Sequence, residues 1–349
     1  MNSDNHFMNR CIELARKGKG HVAPNPLVGA VIVHNGKIIG EGYHEKYGQA
    51  HAEVNAVNSV KDQSLLSEAT IYVSLEPCAH FGKTPPCADL LAHHNFSRVV
   101  VGCTDTFDQV SGKGIEKLQN AGIDVTIGVL EKECRTLNKH FFTFHEKKRP
   151  FVFLKWAETT NGLIDSDENK EAVTGSNLAG VTWISVPEVK SRVHKWRSEH
   201  MAILVGRKTV EADNPSLTVR EVAGTNPIRV IIDSQAQLTL DYAVFNDEAN
   251  TIVINTKKSE NLDGVEYIQL DEINPETLLN TLYEKGIQSV FIEGGATTLQ
   301  SFIDVNLWDE ACTIVGQGTF EKGTKAPQIV GIHTEELFFG DTLKHYKNI

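Results

Sequence analysis

The chain has 349 residues, is 40% hydrophobic and 23% charged, and carries a formal net charge of −11. At about 100–200 residues per domain this length predicts two domains, and the composition excludes a disordered chain. The acidic balance argues against a general nucleic-acid binder, because backbone phosphates demand clustered Lys and Arg.

Phe7, Met8, Cys11, Ile12, Leu14 and Ala15 recur at helical spacing and predict an opening amphipathic helix, stopped by Gly18 and Gly20. The same stretch mixes in Asp4, Arg10, Glu13, Arg16 and Lys17, so no secretory signal is expected. No run approaches the ~18 apolar residues of a membrane span. Pro24-Asn25-Pro26 predicts a turn, and 28–33 a strand that His34-Asn35-Gly36 turns into a second strand over 37–43. A helix over 51–60, a buried-type strand over 69–75, a helix over 86–94, a strand over 98–103, a helix over 114–121 and a strand over 123–128 follow. Glu146 to Pro150 reads as an exposed charged linker with a solvated basic run, dividing the chain into domains 1–147 and 148–349. Beyond it, strands are expected at 151–157, 201–205, 228–233, 251–254 and 289–292. Helices are expected at 187–197, 208–212, 275–285 and 296–303. Alternating strands and helices imply a layered α/β sheet in each half.

The chemistry concentrates in His51-Ala52-Glu53 and in Pro77-Cys78-Ala79-His80-Phe81-Gly82-Lys83-Thr84-Pro85-Pro86-Cys87. One imidazole and two thiolates make three zinc ligands, and an open fourth position is the mark of a catalytic zinc. His51 and Cys87 are both expected to open helices, whose N-termini favour thiolates. Glu53 is better placed as a proton carrier than as a ligand. The alternative is a structural zinc, which needs a fourth ligand from His80 or His44. Cys11, Cys103, Cys134 and Cys312 are expected in the core, and so sparse a cysteine content fits a reducing, cytoplasmic setting. In the second half no G-x-G-x-x-G follows a strand. The strongest local signal there is a strand running into Glu293-Gly294-Gly295 and then a helix, where glycines admit close backbone approach and the helix N-terminus favours a phosphate.

The H-x-E…P-C pattern resembles the zinc nucleobase deaminases. Eight residues separate the cysteines, where those enzymes have two. With Pro24-Asn25-Pro26-Leu27-Val28-Gly29 and Gly42-Tyr43-His44, this spacing resembles the bifunctional riboflavin-biosynthesis deaminase/reductase family (RibD/RibG). The resemblance runs on through Leu154-Lys155-Trp156-Ala157, Trp183-Ile184, Gly206 to Val210, Asp213 to Arg220 and Glu293-Gly294-Gly295. It implies a cytidine-deaminase-like three-layer α/β/α domain followed by a dihydrofolate-reductase-like α/β domain. The first would hold one zinc ion on His51, Cys78 and Cys87, with Glu53 as general acid/base. It would deaminate a diaminopyrimidine ribosyl phosphate, contacted by Asn25, His44, His80, Lys83 and Asp105.

The second domain would use NADPH to reduce the ribosyl group of the product to ribityl. By the same resemblance Ala157, Trp183, Thr209, Asp213, Ser234 and the run Gly295, Ala296, Thr297, Thr298, Leu299, Gln300 and Ser301 would line the cofactor. Arg197, Leu217, Arg220 and Glu293 would hold the substrate. Lys155 and Asp213 are candidates for polarising or protonating the opening ribose, a structural ion pair being the alternative. Two departures from the resemblance stand out: Phe107 stands where the family commonly has Asn, and Asn161 where it often has the Asp of a Ser-x-Asp-Gly turn. The partners implied are small-molecule pyrimidine ribosyl phosphates, with a homo-oligomer (dimer or tetramer) as a family expectation. Two competing readings are a tRNA or nucleobase zinc deaminase with an unrelated appended domain, expected to show C-x-x-C and a basic face, and a non-catalytic zinc-stabilised binding module, which needs a fourth protein ligand.

Overall fold

The computed structural model describes residues 3–79, 85–106, 112–166 and 184–348. His80, Lys83, Phe107 and Trp183 lie outside the described residues. The chain divides into two units, Met1–Lys148 and Arg149–Ile349.

The first unit runs α1 (Ser3–Ala15), β1 (Gly29–His34), β2 (Lys37–Tyr43), α2 (Ala52–Ser59), β3 (Thr70–Leu75), α3 (Cys87–His93), β4 (Arg98–Cys103), α4 (Lys113–Asn120), β5 (Asp124–Ile127), α5 (Glu131–Leu137) and α6 (Lys139–Lys147). The sheet order is β2-β1-β3-β4-β5, with β3, β4 and β5 parallel. Side chains alternate across a strand, and that alternation builds the layers. Ala30, Ile32, Ile71, Val73, Val99 and Val101 pack with Ala52, Ala56, Ala88, Leu91 and Leu118 of α2, α3 and α4. The intervening Val31, Val33, Tyr72 and Val100 pack with Phe7, Met8, Ile12, Cys134, Phe141 and Phe142 of α1, α5 and α6. Helices therefore cover both faces. Gly42 fixes how closely α2 lies on β2: a Cβ there would sit 2.3 Å from Ala56 N and 2.6 Å from Ala52 O. Only glycine permits this approach, and it sets the position of the α2 N-terminus.

The second unit runs β6 (Phe151–Glu158), α7 (Val189–Glu199), β7 (Ala202–Gly206), α8 (Arg207–Asp213), β8 (Ile228–Ile232), β9 (Thr251–Asn255), β10 (Glu260–Leu262), β11 (Val265–Gln269), α9 (Pro275–Glu284), β12 (Ser289–Ile292), α10 (Ala296–Asp304), β13 (Glu310–Val315), β14 (His333–Phe338) and β15 (Asp341–Lys347). Its sheet order is β10-β11-β9-β8-β7-β12-β6-β13-β15-β14. Leu154, Trp156, Leu204, Val230 and Ile292 pack with Leu278, Leu282, Leu299 and Phe302 of α9 and α10. Phe153, Ile203, Val205, Ile231 and Phe291 face Val189, Val193 and Val210 of α7 and α8. The neighbours β8, β7, β12 and β6 are all parallel. Their carboxyl ends share one edge, where open α/β sheets bind ligands.

The expected linker needs one correction. Glu146, Lys147 and Lys148 are exposed, but Arg149 is not a solvated member of that basic run. Its guanidinium donates to both oxygens of Asp309, at 2.6 and 2.8 Å, with side chains only 12% and 7% exposed. Asp309 also accepts the Val152 N–H at 2.9 Å, so the carboxylate that fixes the start of β6 takes Arg149 as its counter-charge. No helix among the described residues is long and apolar enough to cross a membrane.

Candidate functional site

His51 stands immediately before α2 in extended conformation, Glu53 lies in the first turn of α2, and Cys87 opens α3 after Pro86. Cys78 follows β3. These placements bring His51 Nδ1 to 3.6 Å from Cys78 Sγ and 3.3 Å from Cys87 Sγ. The three donor atoms lie within 4.8 Å of one another and form the one such metal-holding group among the described residues. One nitrogen and two sulfurs converging at this span suit zinc. The Cys87 N–H, in the first turn of α3, donates to Cys78 Sγ at 3.3 Å. Hydrogen bonding from Cys87 and then His51 pulls the Cys78 thiol down to about 4. The His51 imidazole is raised, chiefly by its bond with Cys78. Glu53 is 3% exposed, and burial, then the charge on Cys78, push its carboxyl up to about 7.

His44 is excluded as a fourth ligand because both ring nitrogens are engaged. Nδ1 lies 3.0 Å from Ala50 O and Nε2 lies 3.1 Å from Asn25 Nδ2. The carbonyl can only accept, so Nδ1 carries the proton and Nε2 accepts from Asn25. Burial pushes this imidazole down, which favours the neutral ring. It meets the His51 ring edge-on, centroids 5.5 Å apart. Asn25 and His44 are thereby joined to the zinc group. Asp105 is buried just past β4. Its N–H donates to Glu76 Oε2 at 3.2 Å, and the same carboxylate accepts from Gly112 N (3.1 Å) and Gly114 N (3.0 Å). Glu76 is absent from the sequence expectations. Its signal is a charged residue wedged between a fully buried strand end and the Pro-Cys ligand.

In the second unit the expected residues fall in sequence along the carboxyl edge of β8, β7, β12 and β6. Ser234 follows β8, Thr209 lies in α8 after β7, Glu293 to Gly295 follow β12, and Lys155 and Ala157 lie in β6. Gly294 packs against Thr209, where a Cβ would come within 2.9 Å of its side chain, and Gly295 takes the left-handed φ of 77°. The two glycines leave bare backbone beside the hydroxyls of Thr209 and Thr298 at the start of α10, which suits a phosphate. Within that run Leu299 packs in the core. Ser301 Oγ donates to Thr298 O, and Gln300 bonds Asp304 and Gln328. Ala296 and Thr297 open α10.

Arg197 donates to both oxygens of Glu293, at 3.2 and 2.6 Å, and to Thr218 O at 3.2 Å. Burial would raise the Glu293 carboxyl, but the charges of Arg197 and Lys155 outweigh it and hold it below its usual range. Burial lowers Lys155, opposed by Glu293. The charges that act on Lys155 are those of Glu293 and Arg197; Asp213 closes α8 at an exposed position. Leu217 is buried in left-handed conformation with φ 54°, a strained state for a branched residue. The Arg220 N–H donates to His194 Nδ1 at 3.0 Å, and its guanidinium donates to Thr218 Oγ1 at 2.8 Å. His194 is a second residue that sequence reasoning missed; burial and then Arg197 push it down to about 4, so it stays a neutral acceptor.

Comparison with known proteins bears on both units. Residues 1–103 match the family described as cytidine and deoxycytidylate deaminase zinc-binding region, and residues 150–335 match the RibD C-terminal domain. The riboflavin biosynthesis protein RibD of Aquifex aeolicus is 41% identical over 345 residues, covering 97% of this chain and 90% of its own. The chain belongs to the RibD family. RibD of Escherichia coli is 34% identical, with 88% of this chain and 86% of its own covered. The crystal structure of a Thermotoga maritima diaminohydroxyphosphoribosylaminopyrimidine deaminase/5-amino-6-(5-phosphoribosylamino)uracil reductase matches with a TM-score of 0.86 at 37% identity, covering 99% of both chains. Acinetobacter baumannii RibD matches with a TM-score of 0.87 at 33% identity and the same coverage. The RibD-family chain thus has the expected fold, an N-terminal cytidine-deaminase-like unit and a C-terminal reductase unit.

Proposed function

We propose that this RibD-family chain performs two consecutive reactions. The first unit hydrolytically deaminates a diaminopyrimidine ribosyl phosphate. The second reduces the ribosyl group of 5-amino-6-(5-phosphoribosylamino)uracil to ribityl with NADPH. The observation that carries the reading is the convergence of His51 Nδ1, Cys78 Sγ and Cys87 Sγ beside the buried Glu53. Zinc bound by these donors supplies the Lewis acidity that makes a water nucleophilic near neutral pH. Glu53 takes a proton from the attacking water, gives it to a ring nitrogen, and protonates the departing ammonia. Asn25 and His44, locked to each other, form a preset polar wall for the ring. Asp105, buried just past β4, is the remaining substrate contact of this reading.

In the second unit bound NADPH would supply hydride for the reduction of the ring-opened ribose. Thr209, Thr298 and the backbone of the Gly294–Gly295 cradle hold the cofactor's phosphates. Arg220 takes the sugar phosphate and Arg197 steadies Glu293. Lys155 delivers the proton that accompanies the hydride as the C=N bond is saturated.

The test gives zinc-loaded protein the diaminopyrimidine ribosyl phosphate with and without NADPH, following ammonia and NADPH absorbance. Ammonia is expected without NADPH, and NADPH oxidation only after deamination or with the deaminated substrate supplied. Absence of ammonia from zinc-loaded protein would sink the deaminase reading.

A cytoplasmic setting and self-association complete the proposal. None of the six cysteines is paired in a disulfide, which fits a reducing compartment. β14 is an edge strand of the ten-stranded sheet. It and its flanks expose Val330 (93%), Ile332 (77%), Leu337 (77%) and Phe339 (66%), an apolar edge suited to burial against a second copy. Leu337→Glu is expected to convert the oligomer to monomer in size-exclusion chromatography with light scattering. An unchanged mass would place the contact elsewhere.

A further inference from the structure

Asn138 occupies the break between α5 and α6, on the sheet face opposite α2 and α3. It is 3% exposed. Its side-chain amide takes both backbone groups of Leu27: Oδ1 accepts the Leu27 N–H at 2.7 Å, and Nδ2 donates to Leu27 O at 2.9 Å. A neighbouring strand would satisfy a peptide in this way. Residues 26–28 belong to no helix or strand, so Asn138 stands in for the missing strand partner.

The clamped segment carries the contacts of His44 on either side of Leu27. Asn25 bonds His44 Nε2 at 3.1 Å, and Val28 O accepts the His44 N–H at 3.0 Å. The His44 ring in turn meets His51, a zinc donor. An unbroken series of contacts therefore runs from Asn138 through Leu27 to Asn25 and His44. Without the amide, two half-buried backbone groups of Leu27 lose their protein partners and the segment is free to shift.

We propose that Asn138 is a positioning residue of the deaminase: it sets Asn25 and His44 at the pyrimidine pocket without touching substrate. The inference rests on the deaminase reading above and goes beyond it by assigning pocket geometry to a helix junction behind the sheet. A misplacement of about 1 Å costs on the order of 100-fold in rate, which sets the scale of the effect.

The test uses the full-length, zinc-loaded protein as Asn138→Ala and Asn138→Leu. Leucine keeps the branched outline of the side chain and leaves no cavity but makes neither hydrogen bond, so a loss common to both variants traces to the bonds and not to a cavity. Three quantities are measured in each: kcat and KM for ammonia release, zinc per chain, and the NADPH-dependent rate on deaminated substrate. Both variants are expected to keep one zinc and the wild-type reductase rate, while deaminase kcat/KM falls about 10–100-fold, mostly through KM. Wild-type deaminase kinetics in either variant overturns the proposal. So does zinc loss that parallels the loss of activity, because Asn138 would then support the whole unit and not the pocket. Ammonia release by the wild type in the same assay keeps failure of the deaminase reading separate from failure of this one.

Discussion

Glu53→Gln is expected to slow ammonia release about 1,000-fold while one zinc stays bound to each chain. General acid–base catalysis contributes about 10²–10⁴, and this carboxyl is proposed to move every proton of the reaction. Glutamine keeps the shape of the buried side chain but cannot cycle a proton. The metal donors are untouched, since the converging group is His51, Cys78 and Cys87. Steady-state ammonia release and elemental zinc analysis read the two halves of the prediction. The reductase rate of the same molecules reports that the chain is folded. Zinc lost along with activity would make Glu53 a ligand and reassign the site.

That site was legible in the sequence because its members are set by local rules. His51 and Cys87 each sit where a helix begins, and Cys78 sits where a buried strand ends. Short windows of sequence carry such boundaries. Glu76 and Asn138 follow no local rule. Glu76 works on backbone N–H groups 29 to 38 residues away, and Asn138 on a peptide 111 residues away. Nothing in the flanking residues announces those partners. β14, one of the strands that periodicity did not reveal, is hidden for a different reason. β14 is exposed at most positions, so its sequence His333 to Phe338 shows no buried face. α5 and α6 are each short, and Asn138 interrupts what would otherwise read as one helix.

Asn161, where the resemblance leads one to expect an aspartate, makes contacts that require an amide. Its Nδ2 donates to Phe320 O at 2.8 Å, while Oδ1 accepts from Thr159 Oγ1 at 2.7 Å and from Phe320 N at 3.4 Å. An ionised aspartate would accept the latter two but could not donate to the carbonyl. The following Gly162 takes a φ of 76°, so the turn expected of Asn-Gly is present. The amide links this turn to the segment at Phe320, with a donated bond that an aspartate could not make.

The second large effect is expected in the reductase unit, where Arg197→Ala should abolish NADPH oxidation and destabilise the unit by about 3–5 kcal/mol, as breaking a buried ion pair does. The side chains of Arg197 and Glu293 are only 13% and 8% exposed. Removing the guanidinium leaves the carboxylate buried against Lys155 alone and strips a donor from Thr218 O. At about 2–4 °C per kcal/mol for a unit of this size, the melting transition should fall by roughly 10 °C. Loss of activity from this variant alone would not separate unfolding from chemistry. The double variant Arg197→Met/Glu293→Gln does so, because it removes both charges at once and avoids the unpaired carboxylate. Stability is expected to recover most of the loss, since neutral replacements of a buried pair are often near neutral. Reductase activity is not expected to return: the substrate edge has lost its fixed carboxylate, and Lys155 has lost the negative charge that opposes its desolvation. Calorimetry and NADPH oxidation at saturating deaminated substrate check both, with ammonia release unaffected in either variant. If the double variant regains reductase activity with its stability, the pair is a structural brace and the substrate contacts lie elsewhere on the β12–β6 edge.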